Sequence, residues 1–157
     1  MDALTTAALL AATLTTGLMA GLFYAYSCSV MPALRGAEAP VLVEVMQRIN
    51  RAIVNGWFLL CFVGAAVVGV LATALVAIDG EAAVLVPAVL GLVLYLAQLA
   101  VTARINIPLN NGLDAAGSAN PAATRETFER PWTRWNNVRT LLCTASLGSW
   151  CWALVQS

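Results

Sequence analysis

The sequence predicts an all-α fold, an integral membrane four-helix bundle with both termini on the outer side. Three observations carry that prediction. Of 157 residues, 61% are hydrophobic and only 10% charged, whereas soluble domains average about 45–50% apolar and about 25% charged. Four stretches are apolar over the ~20 helical residues needed to cross ~30 Å of hydrocarbon. The basic residues, all arginine, gather in two of the three connections.

The first stretch covers residues 3–30. Only Asp2 precedes it, so it lacks the positive flank of a secretory signal, and it exceeds an h-region of about 7–15 residues. It is therefore expected to be a retained span. Pro32 and Gly36 are expected to end it, since proline cannot continue a helix and glycine favours a C-terminal cap. After Pro40 a helical pattern resumes and is expected to run unbroken into the second span, residues 53–78. The third span covers 83–103. The connection after it opens at Pro108, loosens through 112–121, forms a short helix over 124–128 and stops at Pro131. The fourth span covers 138–155. No internal repeat or linker divides the chain, so residues 1–157 read as one domain.

Orientation follows from arginine. The first connection carries Arg35, Arg48 and Arg51; the third and its borders carry Arg104, Arg125, Arg130, Arg134 and Arg139. The second has Asp79 and Glu81 and no arginine. Arginine excess marks the cytoplasmic side, which places the long connections inside and the termini outside, in a multi-pass protein of the cell (inner) membrane.

The remaining polar residues recur at helical spacing. Glu44, Arg48, Arg51 and Asn55 align before the second span; Tyr95, Gln98, Thr102 and Asn106 align along the third; Trp132, Asn136, Arg139, Cys143 and Ser146 align along the fourth. The first helix offers Tyr24, Ser27, Cys28 and Met31. Polar groups are costly against lipid and usually face a bundle interior or wet cavity. Four stripes at one depth predict a pocket opening toward the cytoplasm, the alternative being interhelical hydrogen bonding alone. Trp132 and Trp135 are expected to wall that pocket. Trp150 and Trp152, and Trp57, are expected in interfacial belts. Cys28, Cys61, Cys143 and Cys151 form no CxxC pair and read as core residues rather than a disulfide framework.

The chemistry is bounded by what is missing. There is no His and no Lys, hence no ordinary near-neutral acid–base group. Nucleophile elbow, phosphate loop and zinc spacing are also lacking. No cofactor is expected, although Asn, Asp and Glu oxygens leave a hard cation open. Zero net charge offers nucleic acid no basic patch. Arg to hold an anion, Asn to hydrogen-bond, Tyr or Glu to move a proton and aromatic walls suit a flat, acidic, lipophilic substrate partitioned into the bilayer. The second reading, from another class, is a non-catalytic homo-oligomeric membrane module or small-molecule carrier.

Four runs sharpen this: GLFYAYSCSVMPAL (21–34), MQRINRAIVNGWF (46–58), NIPLNNGL (106–113) and FERPWTRWNNVRTLL (128–142). Together they resemble the anthrone oxygenase-like family of small four-helix membrane proteins, over essentially the whole chain. The resemblance implies oxidation of polyketide anthrones to anthraquinones by molecular oxygen without a conventional redox cofactor. A base would remove a proton from the activated CH₂, Arg and Asn would stabilise the oxyanion, and the carbanion would react with O₂. The carried-over positions are Tyr24, Arg51, Asn55, Asn106, Asn110, Glu129, Trp132, Trp135, Asn136 and Arg139. Asn137 stands where relatives often have His; if that His is the base, this chain uses another or lacks the activity. Glu129 or Tyr24 is expected to be that other base, with Arg139 and Asn136 serving the oxyanion. Arg51, Asn55, Asn106, Asn110, Trp132 and Trp135 are expected to bind substrate.

Overall fold

Asp2 accepts the Thr5 N–H at 2.8 Å, and the helix it caps, α1, continues to Arg35 (Ala3–Arg35). In this computed structural model, which describes residues 1–157, four more helices follow: α2 (Ala39–Ile53), α3 (Gly56–Asp79), α4 (Ala82–Ala116) and α5 (Pro121–Gln156). All but α2 are long and apolar enough to span a bilayer, and the protein is a multi-pass membrane protein. Gly80 ends α3 at φ +75°, where its N–H returns to Val76 O at 3.2 Å. That left-handed cap is glycine's natural position.

Contacts run α1–α3, α3–α4, α4–α5 and α5–α1, closing a ring of antiparallel neighbours. Both termini and the Gly80 turn therefore share one end, and α2 lies at the other. Near the termini the core is small and apolar: Ala8, Leu9, Ala12, Ala72, Val76, Val84, Ala88 and Ala153 surround Trp150. Trp150, expected in a belt, is only 1% exposed. Its indole fills the space left by two glycines, so that a Cβ on Gly91 would stand 2.9 Å from the ring and one on Gly69 3.2 Å. Trp57 and Trp152 do face outward. Among the cysteines only Cys143 is fully buried; Cys28 and Cys151 are exposed.

The prolines act differently from the sequence expectation. Pro32 does not end α1, and Pro108 does not end α4. Each follows a π-helical turn, Tyr26–Val30 in α1 and Thr102–Asn106 in α4. Proline lacks an N–H and crowds the carbonyl four residues back; widening the preceding turn absorbs both defects without breaking the helix. Pro131 is exposed within α5 and does not interrupt it. The loop between α4 and α5 is thus only residues 117–120. Conversely, the expected continuity of α2 with α3 fails at Val54 and Asn55. There Asn55 donates to Ala52 O at 2.9 Å and accepts Phe58 N–H at 3.0 Å, capping both helices across the break.

At ~1.5 Å rise per residue, α1, α4 and α5 are about 50 Å long and outreach ~30 Å of hydrocarbon. Their extensions at the α2 end form a second cluster: Leu42, Val43 and Met46 of α2 pack with Met31, Leu113, Phe128 and Trp132. This amphipathic packing turns the polar side of α2 outward.

Candidate functional site

The two π-helical turns grip the same stretch of α5. A π turn shifts bonds from i→i−4 to i→i−5, leaving the carbonyl before it open to other donors. In α1 that carbonyl, Phe23 O, keeps only a shared backbone donor, the Tyr26 N–H, and accepts Asn136 Nδ2 (3.0 Å) and the Ser27 hydroxyl (3.2 Å). Asn136 Nδ2 also donates to Ser27 Oγ (2.9 Å), and Ser27 Oγ lies 3.0 Å from Thr140 Oγ1. From α4, Thr102 Oγ1 accepts Arg139 Nη1 at 3.4 Å.

Arg139 sits between them, 7% exposed. Its Nη2 donates to Asn136 Oδ1 at 2.8 Å, and its guanidinium lies 4.4 Å from the Phe23 ring centroid and 5.6 Å from that of Trp132. Its Nε has no partner. The structure's three ion pairs all use Glu44 or Glu129, and none involves Arg139. A buried cation answered only by dipoles and ring faces is expensive in a membrane.

That cation faces a cavity of about 250 Å³. Phe23 and Tyr26 of α1, Phe58 and Phe62 of α3, and Trp132 of α5 are its aromatic walls. Asn50, Thr102 and Asn110 add the neutral polar groups, and no carboxylate lines it. Trp132 is held by its indole N–H donating to Asn110 Oδ1 at 2.7 Å and by edge packing on Tyr26.

The stripes on α4 and α5 do point inward: Tyr95, Gln98, Thr102 and Asn106, and Trp132, Asn136, Arg139, Cys143 and Ser146, are all buried. Arg139, Trp132 and Asn110 meet at the cavity. Asn136 is buried behind Arg139 with its amide hydrogens committed to α1, so it positions the guanidinium and has no donor left for a substrate. Asn106 is wholly buried with neither side-chain atom partnered, and does not line the cavity. Trp135 is half-buried outside it.

Four further expectations need correction. Arg51 and Asn55 are exposed, because α2 buries Leu42, Val43, Met46 and Asn50 instead. Asn50, not Arg51, reaches the cavity. Tyr24 is 60% exposed; the inward stripe of α1 passes through Met19, Ala20 and Phe23, which brings Tyr26 to the wall. Glu129 lies outside the cavity, bound to Arg125 Nε at 2.6 Å and to Arg35 at 3.7 Å. Arg125 completes this latch by donating to Arg35 O and Ala37 O, each at 2.7 Å.

No curated protein and no solved structure matches the chain. The anthrone oxygenase family profile matches residues 57–149, which takes in α3, α4 and α5 as far as Ser149. Thr102, Asn110, Trp132, Asn136 and Arg139 all fall inside the matched segment. With more than half of its length matched, the chain belongs to the anthrone oxygenase family.

Proposed function

We propose that the protein is a membrane-embedded oxygenase that oxidises a lipophilic phenolic or polyketide-like substrate of the anthrone type with molecular oxygen, in the cavity beside Arg139. The observation that carries this reading is a buried guanidinium, without a carboxylate partner, at the edge of an aromatic-walled cavity. Such a cation favours any ligand that brings a negative charge. An anthrone does so on losing a proton from its activated CH₂, which leaves an enolate with charge on oxygen. Arg139 stabilises that oxyanion in a site of low polarity, where the interaction is strong. The electron-rich carbon then reduces O₂ and takes up one oxygen atom. Loss of the second hydrogen from that carbon, with the other oxygen atom leaving as water, yields the quinone. Atoms balance as one anthrone and one O₂ to one anthraquinone and one water.

In this scheme Tyr26, whose phenol is on the cavity wall, replaces Tyr24 and Glu129: as the phenolate beside Arg139 it accepts the CH₂ proton, and it returns that proton to the reduced oxygen that leaves as water. Membranes containing the protein should consume one O₂ per anthrone. Arg139→Gln should lower kcat by about 10²–10³, Tyr26→Phe by less, and Glu129→Gln and Tyr24→Phe should stay near wild type. No oxygen uptake by wild type, or full turnover by Arg139→Gln, would sink the proposal. A carrier needs a path open to both sides, and Trp150 packed into Gly69 and Gly91 fills the other half of the bundle, which favours an enzyme.

We also propose that the α2 end faces the cytoplasm, on the arginine count of its two connections. Single cysteines placed at Asp79 and at Ala119 should then label from opposite sides of the membrane.

A further inference from the structure

Away from the cavity, the latch that ties α1 to α5 borders an unusual hollow. Arg35, Arg125, Glu129, Arg130 and Thr133 line a cleft of about 420 Å³ without one apolar side chain. A contiguous hollow shares Arg125, Glu129 and Arg130 and adds Ala122 and Glu126. Within the first cleft three guanidinium groups face one carboxylate, and Glu129 gives its close contact to Arg125. Arg125 is spent on Glu129 and on two backbone carbonyls. Arg35, with its side chain 69% exposed, keeps only a 3.7 Å contact, and Arg130 is exposed and outside every ion pair. Along α5, Arg130 stands between Glu126, four residues back in the adjoining hollow, and Arg134, four residues on and exposed too; the like pair Arg130 and Arg134 repels, which an anion bound beside them relieves.

Depth supplies the ligand. Arg35 closes a 33-residue helix, about 50 Å long, against ~30 Å of hydrocarbon and ~40–45 Å with headgroups. Laid evenly across the bilayer, that helix carries Arg35 to the outer edge of the headgroup layer at the α2 end, and the long arginine side chains of the cleft reach back toward the lipid phosphates, the abundant anions there. Guanidinium groups match phosphate oxygens in geometry and charge. We propose that this cleft is a binding site for the headgroup of an anionic phospholipid, gripped by Arg35 and Arg130 and positioned by the Arg125–Glu129 latch. A lipid bound there bridges the end of α1 to α5 and reinforces the latch without entering the cavity.

The test is lipid retention, read independently of any oxidation. Purified protein is reconstituted in phosphatidylcholine vesicles with and without phosphatidylglycerol, and tightly associated lipid is quantified by mass spectrometry. Wild type should enrich phosphatidylglycerol over its bulk fraction. Each arginine near an anionic surface contributes about fivefold in association, so Arg35→Gln with Arg130→Gln should lower the enrichment about 25-fold. Arg48→Gln, which removes an arginine paired with Glu44 on α2, should leave it unchanged. Equal enrichment by wild type and the double variant would overturn the proposal. An equal loss in Arg48→Gln would overturn it too, since it would reveal diffuse surface charge rather than a site. So would displacement by millimolar inorganic phosphate, which would assign the cleft to a soluble anion.

Discussion

The two halves of this bundle are built by opposite rules. Toward the termini, alanines and glycines let four helices approach closely around one buried indole. Association in lipid gains little from burying apolar surface, so such packing is what holds helices together there. Toward α2 the helices widen at two π turns, long side chains replace small ones, and Arg139 is buried without a counter-ion. One half spends its sequence on contact. The other retains a charge that a stability-only design would replace, and that difference is the reason we propose the reaction there.

The largest expected effect tests the division directly. Arg139→Met removes the charge while keeping an extended side chain in the same space. Replacing a buried charge by an apolar group of similar volume is often neutral or stabilising. Oxygen uptake should fall by about 10²–10³ while the thermal midpoint in mixed micelles stays level or rises. A loss of both together would show that Arg139 is structural, and the comparison would collapse.

Trp150→Ala is the mirror image. Truncating a buried tryptophan costs about 3–5 kcal/mol in soluble proteins. Lipid reduces the transfer part of that cost, so about 3 kcal/mol is expected here, with any remaining folded fraction turning over substrate normally. Gly91→Ala approaches the same contact from the other side. Its new Cβ meets the ring at 2.9 Å, and overpacking of this kind costs about 1–3 kcal/mol. Gly64→Ala, with nothing within 4 Å of its Cβ, is the control and should be silent.

The halves also differed in how far the sequence disclosed them. Span number and the inward stripes of α4 and α5 follow from hydrocarbon thickness and a 3.6-residue period, and the α4 stripe stays inward through its π turn, where Thr102 and Asn106 are buried. Tyr24 shares the spacing of Ser27 and Met31, yet the apolar stripe through Met19, Ala20 and Phe23 fixes the inward face elsewhere. Arg51 fits its polar stripe equally well, but that stripe is the outward side of α2, whose apolar side covers Leu113 and Phe128. Pro32 and Pro108 read as stops because a proline two residues beyond a widened turn is indistinguishable, in sequence, from a helix end. Glu129 found its second arginine at Arg35, 94 positions away, and no local pattern announces such a partner. Trp150 read as a belt residue because its glycine partners lie on α3 and α4.

The smallest effect separates the two ends through their caps. Asp2 begins α1 by accepting Thr5 N–H, and Asn55 begins α3 by accepting Phe58 N–H. Both satisfy a donor that the first turn leaves orphaned, but only Asp2 titrates. The Thr5 backbone N–H holds the Asp2 carboxyl below its ordinary value. A carboxyl whose folded-state pKa is depressed contributes stability that is complete above the unfolded-state value and disappears as pH falls through the folded one. Acidification should therefore fray the start of α1 and leave the start of α3 intact. Amide protection factors, corrected for the intrinsic pH dependence of exchange, read this locally. Those of Thr5 and Thr6 should drop as the pH falls below about 4, while those of Phe58 and Leu59 hold. Asp2→Asn should keep the cap and flatten the pH dependence. Unchanged protection of Thr5 across that range in the unaltered protein would mean that the exposed carboxylate contributes nothing to the helix it starts.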